Sequence, residues 1–244
     1  MKQMFKLILA ISFAGILFAC NNNSADKKDE AKVSPDSSAK ATAAPAPTGP
    51  TLPMDVVTIY HTVKDYKTWR MAFDGDTARR KEAGFSFVAV ERAAENLNNV
   101  KIVLAVSDLA KAKAFPSDPG LKVAMDKGGV ISKPEMKFWK IVRFSPDNQK
   151  TLDTRLEIVH KVKNYDAWLK VYDAEGAATR SANGMNDIAL GRGIDDSTLV
   201  HIVFEITDMS KVKARLADPA FKKIMMDAGV EGKPSFTFYK DASK

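Results

Sequence analysis

From Val57 onward the chain switches between two hydrophobic periods. Val57, Ile59, His61 and Val63 alternate with Thr58, Tyr60 and Thr62, the two-residue period of a strand. Asp65 follows as a helix N-cap, and Tyr66, Trp69 and Phe73 fall at i, i+3 and i+7 on one helical face that Gly84 ends. Phe85 to Arg92 and Val100 to Val106 alternate again and predict strands. Asp108 opens a second helical region, which the N-cap and first-turn pair Asp118 and Pro119 divides into two short helices meeting at a corner. After Gly128 and Gly129, the stretch Glu135 to Phe144 predicts a closing strand.

The same pattern then recurs. Ile59, His61, Val63, Lys64, Tyr66, Trp69 and Asp74 reappear 99 residues later as Ile158, His160, Val162, Lys163, Tyr165, Trp168 and Asp173. After one inserted residue the offset is 100, so that Arg80, Gly84, Arg92, Asp108, Asp118, Pro119 and Pro134 match Arg180, Gly184, Arg192, Asp208, Asp218, Pro219 and Pro234. Self-similarity over that length marks a duplicated structural unit.

Each copy reads β-α-β-β-α-β, the split βαβ order of a four-stranded antiparallel sheet with helices on one face. The predicted fold class is therefore α+β, two tandem ferredoxin-like repeats over residues 54–144 and 154–241. A sheet covered on one face must bury the other, and Ile102 to Val106 is apolar on both sides. The open faces are expected to pack sheet to sheet as an intramolecular pseudo-dimeric barrel, with 145–153 as linker. Element order, together with Val63-Lys64-Asp65-Tyr66 and Trp69, resembles the dimeric α+β barrel superfamily, which includes the antibiotic-biosynthesis-monooxygenase-like proteins. That resemblance implies a fold and a space between sheet and helices for a small organic molecule; it brings no catalytic motif.

Ahead of the repeats, Lys2 and Lys6 precede an uncharged run from Leu7 to Ala19 that ends at Cys20. This predicts a signal peptide over residues 1–19, too short for a membrane span of about 20 residues. Leu17, Phe18, Ala19 and Cys20 resemble the lipobox of bacterial lipoproteins, which implies lipidation of Cys20, the only cysteine, and a cell-envelope location, at the periplasmic or surface face of an outer membrane. Residues 20–53 are rich in Ser, Ala, Lys, Asp and Pro and read as a tether without a core. The formal net charge of +7 leaves the repeats about +5 once the signal is removed, spread among many acids, which gives no basic stripe and no expectation of nucleic acid.

Two of the three histidines, His61 and His160, occupy equivalent strand positions and are candidate ligand contacts, against the alternative of half-buried structural histidines kept by common descent. His201 stands where the first copy has Lys101 and is expected at a surface strand position. Arg92 and Arg192 offer forked donors to an acidic ligand; so do Arg80 and Arg180, unless they pair with Asp74 and Asp173 or with Asp108 and Asp208. Trp69 and Trp168 either line an aromatic pocket or belong to the core. No histidine or cysteine pair has metal-ligand spacing, no glycine loop has a nucleotide-binding context, and no serine sits in a nucleophile elbow. No metal and no cofactor are therefore expected.

The expectation is a monomer held to a membrane by its lipid, binding a small organic ligand or a protein partner. The alternatives are a cofactor-independent oxygenase or isomerase acting on an aromatic or quinone-like substrate, and a structural envelope protein. A buried pocket reaching a histidine favours a ligand; a filled barrel centre favours a structural role.

Overall fold

The computed structural model describes residues 50–145 and 153–244. The expected signal peptide, Cys20, the tether up to residue 49 and most of the linker lie outside the described residues. Among the described residues, no helix is long and apolar enough to cross a membrane.

The first copy runs β1 (Met54–Thr62), α1 (Tyr66–Gly75), α2 (Thr77–Glu82), β2 (Phe85–Ala93), β3 (Asn96–Val106), α3 (Leu109–Ala114), a 3-10 turn (Phe115–Ser117), α4 (Pro119–Lys127) and β4 (Glu135–Phe144). The second runs β5 (Thr154–Val162), α5 (Tyr165–Glu175), α6 (Ala177–Ala182), β6 (Met185–Gly193), β7 (Leu199–Ile206), α7 (Met209–Ala217), α8 (Pro219–Asp227) and β8 (Val230–Asp241). Side-chain caps fix the helix starts: Asp65 accepts from the Thr68 amide at 2.8 Å and Asn164 from the Ala167 amide at 2.8 Å. Asp118 and Asp218 cap the helices after the corners.

One difference from the sequence reading concerns the first helix of each copy, which is broken in two. The break falls at Asp76 in the first copy and at Gly176 in the second, where φ is +79°. The inserted residue of the second copy is absorbed here, where α5 is one residue longer than α1. Gly84 and Gly184 then end α2 and α6 in the left-handed region; a Cβ at Gly184 would lie 2.6 Å from the Asp208 carbonyl oxygen.

All eight strands form one closed antiparallel barrel in the order β1-β3-β2-β8-β5-β7-β6-β4, with β4 also paired to β1. Within each copy the sheet order is last, first, third, second. The copies meet edge to edge rather than by face contact alone: β2 pairs with β8 through Glu91↔Asp241, and β4 with β6 through Trp139↔Gly193. Closure consumes the edge strands that either sheet alone would expose.

Strand alternation divides two environments. Val57, Ile59, Val100, Ile102 and Leu104 face the helices and form one core with Trp69, Phe73 and Phe115; Leu156, Ile158, Val200, Ile202 and Phe204 form the matching core with Trp168. Residues of opposite parity point into the barrel, where Val56, Trp139 and Ile141 make a third cluster. Lys101, Glu91, Arg155, Glu157, His201 and Glu205 share that buried lumen parity. His201, expected at the surface, is thus only 3% exposed. The reason is closure: the second face of the sheet looks onto the other sheet, not onto water.

Candidate functional site

Two spaces inside the protein reach histidines. The first lies between sheet and helices of the first copy, a cavity of about 310 Å³. Ile59, Ile102, Leu104 and Met136 supply its sheet wall; Trp69, Phe73, Phe115, Leu121 and Met125 supply the helical wall. This is a mainly apolar space at the lower end of the volumes of small-molecule sites, roughly 300–1,000 Å³.

His61 projects from β1 into this wall. Its ring stands edge-on to Trp69 at 5.5 Å between centroids, and neither ring nitrogen has a hydrogen-bond partner among the described residues. Burial drives its pKa from 6.5 down to about 4, so the imidazole is neutral near pH 7. A neutral imidazole carries one donor and one acceptor. Both are available to a molecule in the cavity, and a buried polar group without a partner costs about 1–3 kcal/mol until one arrives.

His61 also lines a groove at the end of the barrel with Tyr60, Thr62, Ser132, Lys133, Glu135 and Tyr239. Lys133 lines both spaces. The histidine therefore stands between an apolar interior and a polar mouth.

The second copy repeats the histidine environment. His160 meets Trp168 edge-on at 5.4 Å, its nitrogens are likewise unpartnered, and burial lowers its pKa to about 4. The surrounding wall differs, because Phe236 replaces Met136 and Leu216 replaces Pro116, and both pack against the second core. Phe115, buried in the first copy, becomes Arg215, which lies over the Phe221 ring at 4.2 Å and ion-pairs with Glu175. Bulkier and charged side chains thus stand in the second copy where Met136, Pro116 and Phe115 stand in the first.

Trp69 and Trp168 are core residues, each 4% exposed, and Trp69 is at once a cavity wall. Arg92 and Arg192 do not line the cavity. Arg92 lies over the Tyr66 ring at 4.0 Å with its Nε donating to the Leu97 carbonyl at 2.6 Å, and Arg192 lies 5.1 Å from the Tyr165 ring centroid. Arg80 and Arg180 are buried, but their partners are not the repeated aspartates. Asp74 pairs with Arg70 and Asp173 with Arg143. Arg180 instead pairs with Asp187.

The second space is in the lumen, about 170 Å³, bordered by Glu91, Lys101, Arg155 and His201 among apolar residues. Lys101 contacts Glu91 and lies 3.2 Å from Glu157. Glu157 also receives the Tyr60 hydroxyl at 3.0 Å and faces His201 Nε2 at 2.8 Å. Trp139 stacks on His201 at 4.5 Å and donates its Nε1 proton to Thr58 Oγ1 at 2.8 Å. Burial opposes charge on Lys101, but the carboxylates of Glu157 and Glu91 outweigh it and raise its pKa; burial likewise opposes charge on Glu157, and Lys101 and His201 hold its carboxyl well below the usual range. Sequence reasoning missed this network. Its one signal was the charged residues at alternate positions of strands already apolar on the other face.

No family model matches the sequence, and no curated protein matches it. Solved structures do resemble the fold. A candidate monooxygenase from Fusobacterium nucleatum subsp. nucleatum has a TM-score of 0.51 at 10% identity, covering 80% of this chain and 94% of that one. An anthrone oxidase-like protein has a TM-score of 0.51 at 12% identity, covering 78% and 92%. The fold is thus a mixed α/β one around an eight-stranded antiparallel barrel, similar to the folds of these two proteins.

Proposed function

We propose that this chain is a ligand-binding module of the cell envelope whose first repeat takes one small, mainly apolar organic molecule between sheet and helices. The observation that carries this reading is His61, a buried neutral imidazole with both nitrogens unpartnered at the wall of an apolar cavity of about 310 Å³. The ligand would place a hydroxyl or carbonyl against His61 and its body against Trp69, Phe73 and Phe115.

The wider architecture we propose is that of two tandem ferredoxin-like repeats, 54–144 and 154–241, closed as an intramolecular pseudo-dimer and monomeric as a whole. Recurrence of the same strand order in both copies supports this. Export and lipidation at Cys20 rest on the amino-terminal sequence, which supports a membrane-tethered protein facing the periplasm or the outside.

A second reading, cofactor-independent oxidation of an aromatic or quinone-forming substrate, draws on the fold likeness to the candidate monooxygenase and the anthrone oxidase-like protein. In the balanced reaction a substrate methylene and one molecule of dioxygen become a carbonyl and one molecule of water. Both carbon–hydrogen bonds of the methylene break, one oxygen atom enters the carbonyl, the other leaves as water with the two hydrogens, and the substrate supplies the electrons. It would ask His61 to accept a proton. A base with a pKa of about 4 is poorly matched to that task near neutrality, which is why binding is the preferred reading.

Native mass spectrometry of the full-length protein from its own host tests the proposal, with a Met136→Phe variant that brings the second copy's bulk into the cavity. The expected result is a small-molecule adduct on the wild type that the variant loses. A bare wild type, or an adduct that survives Met136→Phe, overturns the assignment. Conversion of the released molecule to its carbonyl product by protein and air would move the conclusion to the oxidase reading.

A further inference from the structure

Arg80 and Arg180 occupy the same place in the two copies but not the same electrostatic situation. Each lies over an aromatic ring of the preceding helix, Arg80 at 3.7 Å from the Phe73 centroid and Arg180 at 3.9 Å from that of Tyr172. Each sends one terminal nitrogen to a backbone carbonyl there, Arg80 to Phe73 at 2.6 Å and Arg180 to Tyr172 at 2.8 Å. The remaining edge of the fork is where they part.

In the second copy that edge is filled. Arg180 Nε donates to Asp187 Oδ1 at 2.7 Å and its NH2 nitrogen donates to Oδ2 at 2.6 Å, a two-pronged carboxylate pair, with Glu175 at 3.6 Å on the other side. In the first copy the residue matching Asp187 is Phe87. The two stand at the same register, opposite Phe204 and Leu104 respectively. The acid matching Glu175 is Asp76 after the break, one joint away, and its carboxylate is taken by Arg79 at 2.9 Å. Arg80 keeps only the Thr77 hydroxyl at 3.2 Å on its NH2 nitrogen. No carboxylate among the described residues comes within ion-pair distance of it, although it is 9% exposed.

A buried guanidinium without a counter-charge is costly, and here burial lowers its pKa despite the more distant Asp76 and Asp74. The duplicate in the same chain displays the partner this position accepts. Arg80, Phe73 and Leu104 form a wall shared by the histidine cavity, which Asp76 also borders, and a groove of about 310 Å³ lined by Arg70, Asp74, Thr77, Lys81, Ser86 and Phe87; Asp74 and Asp76 are held by Arg70 and Arg79. Phe87 is 47% exposed there, an aromatic surface in the same groove as the Arg80 guanidinium.

We infer that Arg80 is the carboxylate receptor of this protein, and that its ligand is an aromatic or similarly apolar organic acid whose carboxylate takes the place Asp187 holds in the second copy. The inference rests on the reading of the first repeat as a ligand-binding unit. It adds to that reading an anionic end of the ligand, set apart from the group that meets His61.

The test compares 2-naphthoate with 2-naphthol by isothermal titration calorimetry on the full-length protein. Wild type is expected to bind the acid at least about 10-fold more tightly, the scale of a charge-assisted hydrogen-bonded pair. Arg80→Gln should abolish the preference, bringing the two affinities together. Phe87→Asp, which installs the second copy's own carboxylate and keeps the arginine, should abolish it too, and so guards against misfolding of the first variant. Equal binding of the two molecules, or a preference that survives both variants, overturns the role of Arg80 and leaves the cavity reading standing. Failure of both molecules to bind at millimolar concentration counts against the cavity reading itself, and the inference falls with it.

Discussion

The ammonium of Lys101, from the first repeat, lies 3.2 Å from a carboxylate oxygen of Glu157, from the second, and both are almost fully buried in the barrel lumen. Glu91 completes the set on the side of Lys101, and His201 on the side of Glu157. One ammonium thus serves two buried carboxylates. Lys101→Met is expected to lower unfolding stability by about 3–5 kcal/mol, because two buried acids lose the ammonium they share. Urea denaturation at unchanged slope checks this. Neutralising all three residues together, as Glu91→Gln, Lys101→Met and Glu157→Gln, should recover most of the loss; a single variant as stable as wild type would mean that water screens the lumen.

The same network has consequences for pairing. Glu157 corresponds to Thr58 in the first copy, Arg155 to Val56, Glu205 to Ala105, and Glu91 to Gly191 in the second. A barrel made of two first repeats would face Lys101 with threonine in place of Glu157; one made of two second repeats would have no lumen lysine. Residues 50–145 and 153–244, produced as separate chains in one cell, are therefore expected to elute as a one-to-one complex. Predominant self-pairing of either piece would show that the lumen charges do not choose the partner.

The helix-facing half of this organisation was legible in the sequence. Alternation at Val57, Ile59 and His61, the caps at Asp65, Asp108 and Asp118, and the recurrence of Trp69 as Trp168 all report one buried face, and a periodic pattern reveals that directly. The lumen was not legible to the same degree. Lys101 and His201 alternate with apolar neighbours just as solvent-facing residues do, and only closure, a long-range property, turns their face inward. The cavity was hidden for another reason: some of its wall, Met136 against Phe236 and Phe115 against Arg215, differs between the copies, whereas a repeat shows itself through likeness. Arg80 stands out in the sequence, but the acids nearest to it there are the wrong partners, since the position that answers it lies on the following strand at residue 87.

Acid should unfold this protein by a route that the paired histidines define. Burial lowers the folded pKa of His61 and His160 to about 4 from an ordinary 6.5. Between those values the unfolded chain binds more protons than the folded one, so stability rises with pH across the window and falls as pH drops through it. Each histidine contributes on the order of 3 kcal/mol to that change. His160→Leu should remove about half of the histidine-dependent slope between pH 6.5 and 4, and should leave ligand binding in the first repeat unaltered. His61→Leu should flatten the slope equally but abolish binding. Denaturant midpoints at a series of pH values measure both, and an unchanged slope in His160→Leu would show that this ring is protonated or hydrated in the folded state.

The seam between β4 and β6 depends on a residue with no side chain. Gly191 pairs with Ile141 across it, and a Cβ there would lie 2.7 Å from the Lys140 carbonyl oxygen and 2.8 Å from Ile141 Cδ1. The equivalent Glu91 sits at the other seam, opposite Asp241, with room for a long side chain. The obstacle at Gly191 is backbone, which can yield only by moving the two strands apart, so Gly191→Ala is expected to cost about 1–3 kcal/mol. Gly75 is the internal control, in helical conformation with nothing within 4 Å of an added Cβ. Gly75→Ala should leave stability unchanged or raise it by about 0.5–1 kcal/mol through the lower entropy of the unfolded chain. Thermal unfolding of the two alanine variants separates these cases: a lower midpoint for Gly191→Ala alone places close strand contact at the junction of the repeats, and an unchanged midpoint for both would mean that the seam is looser than its register implies.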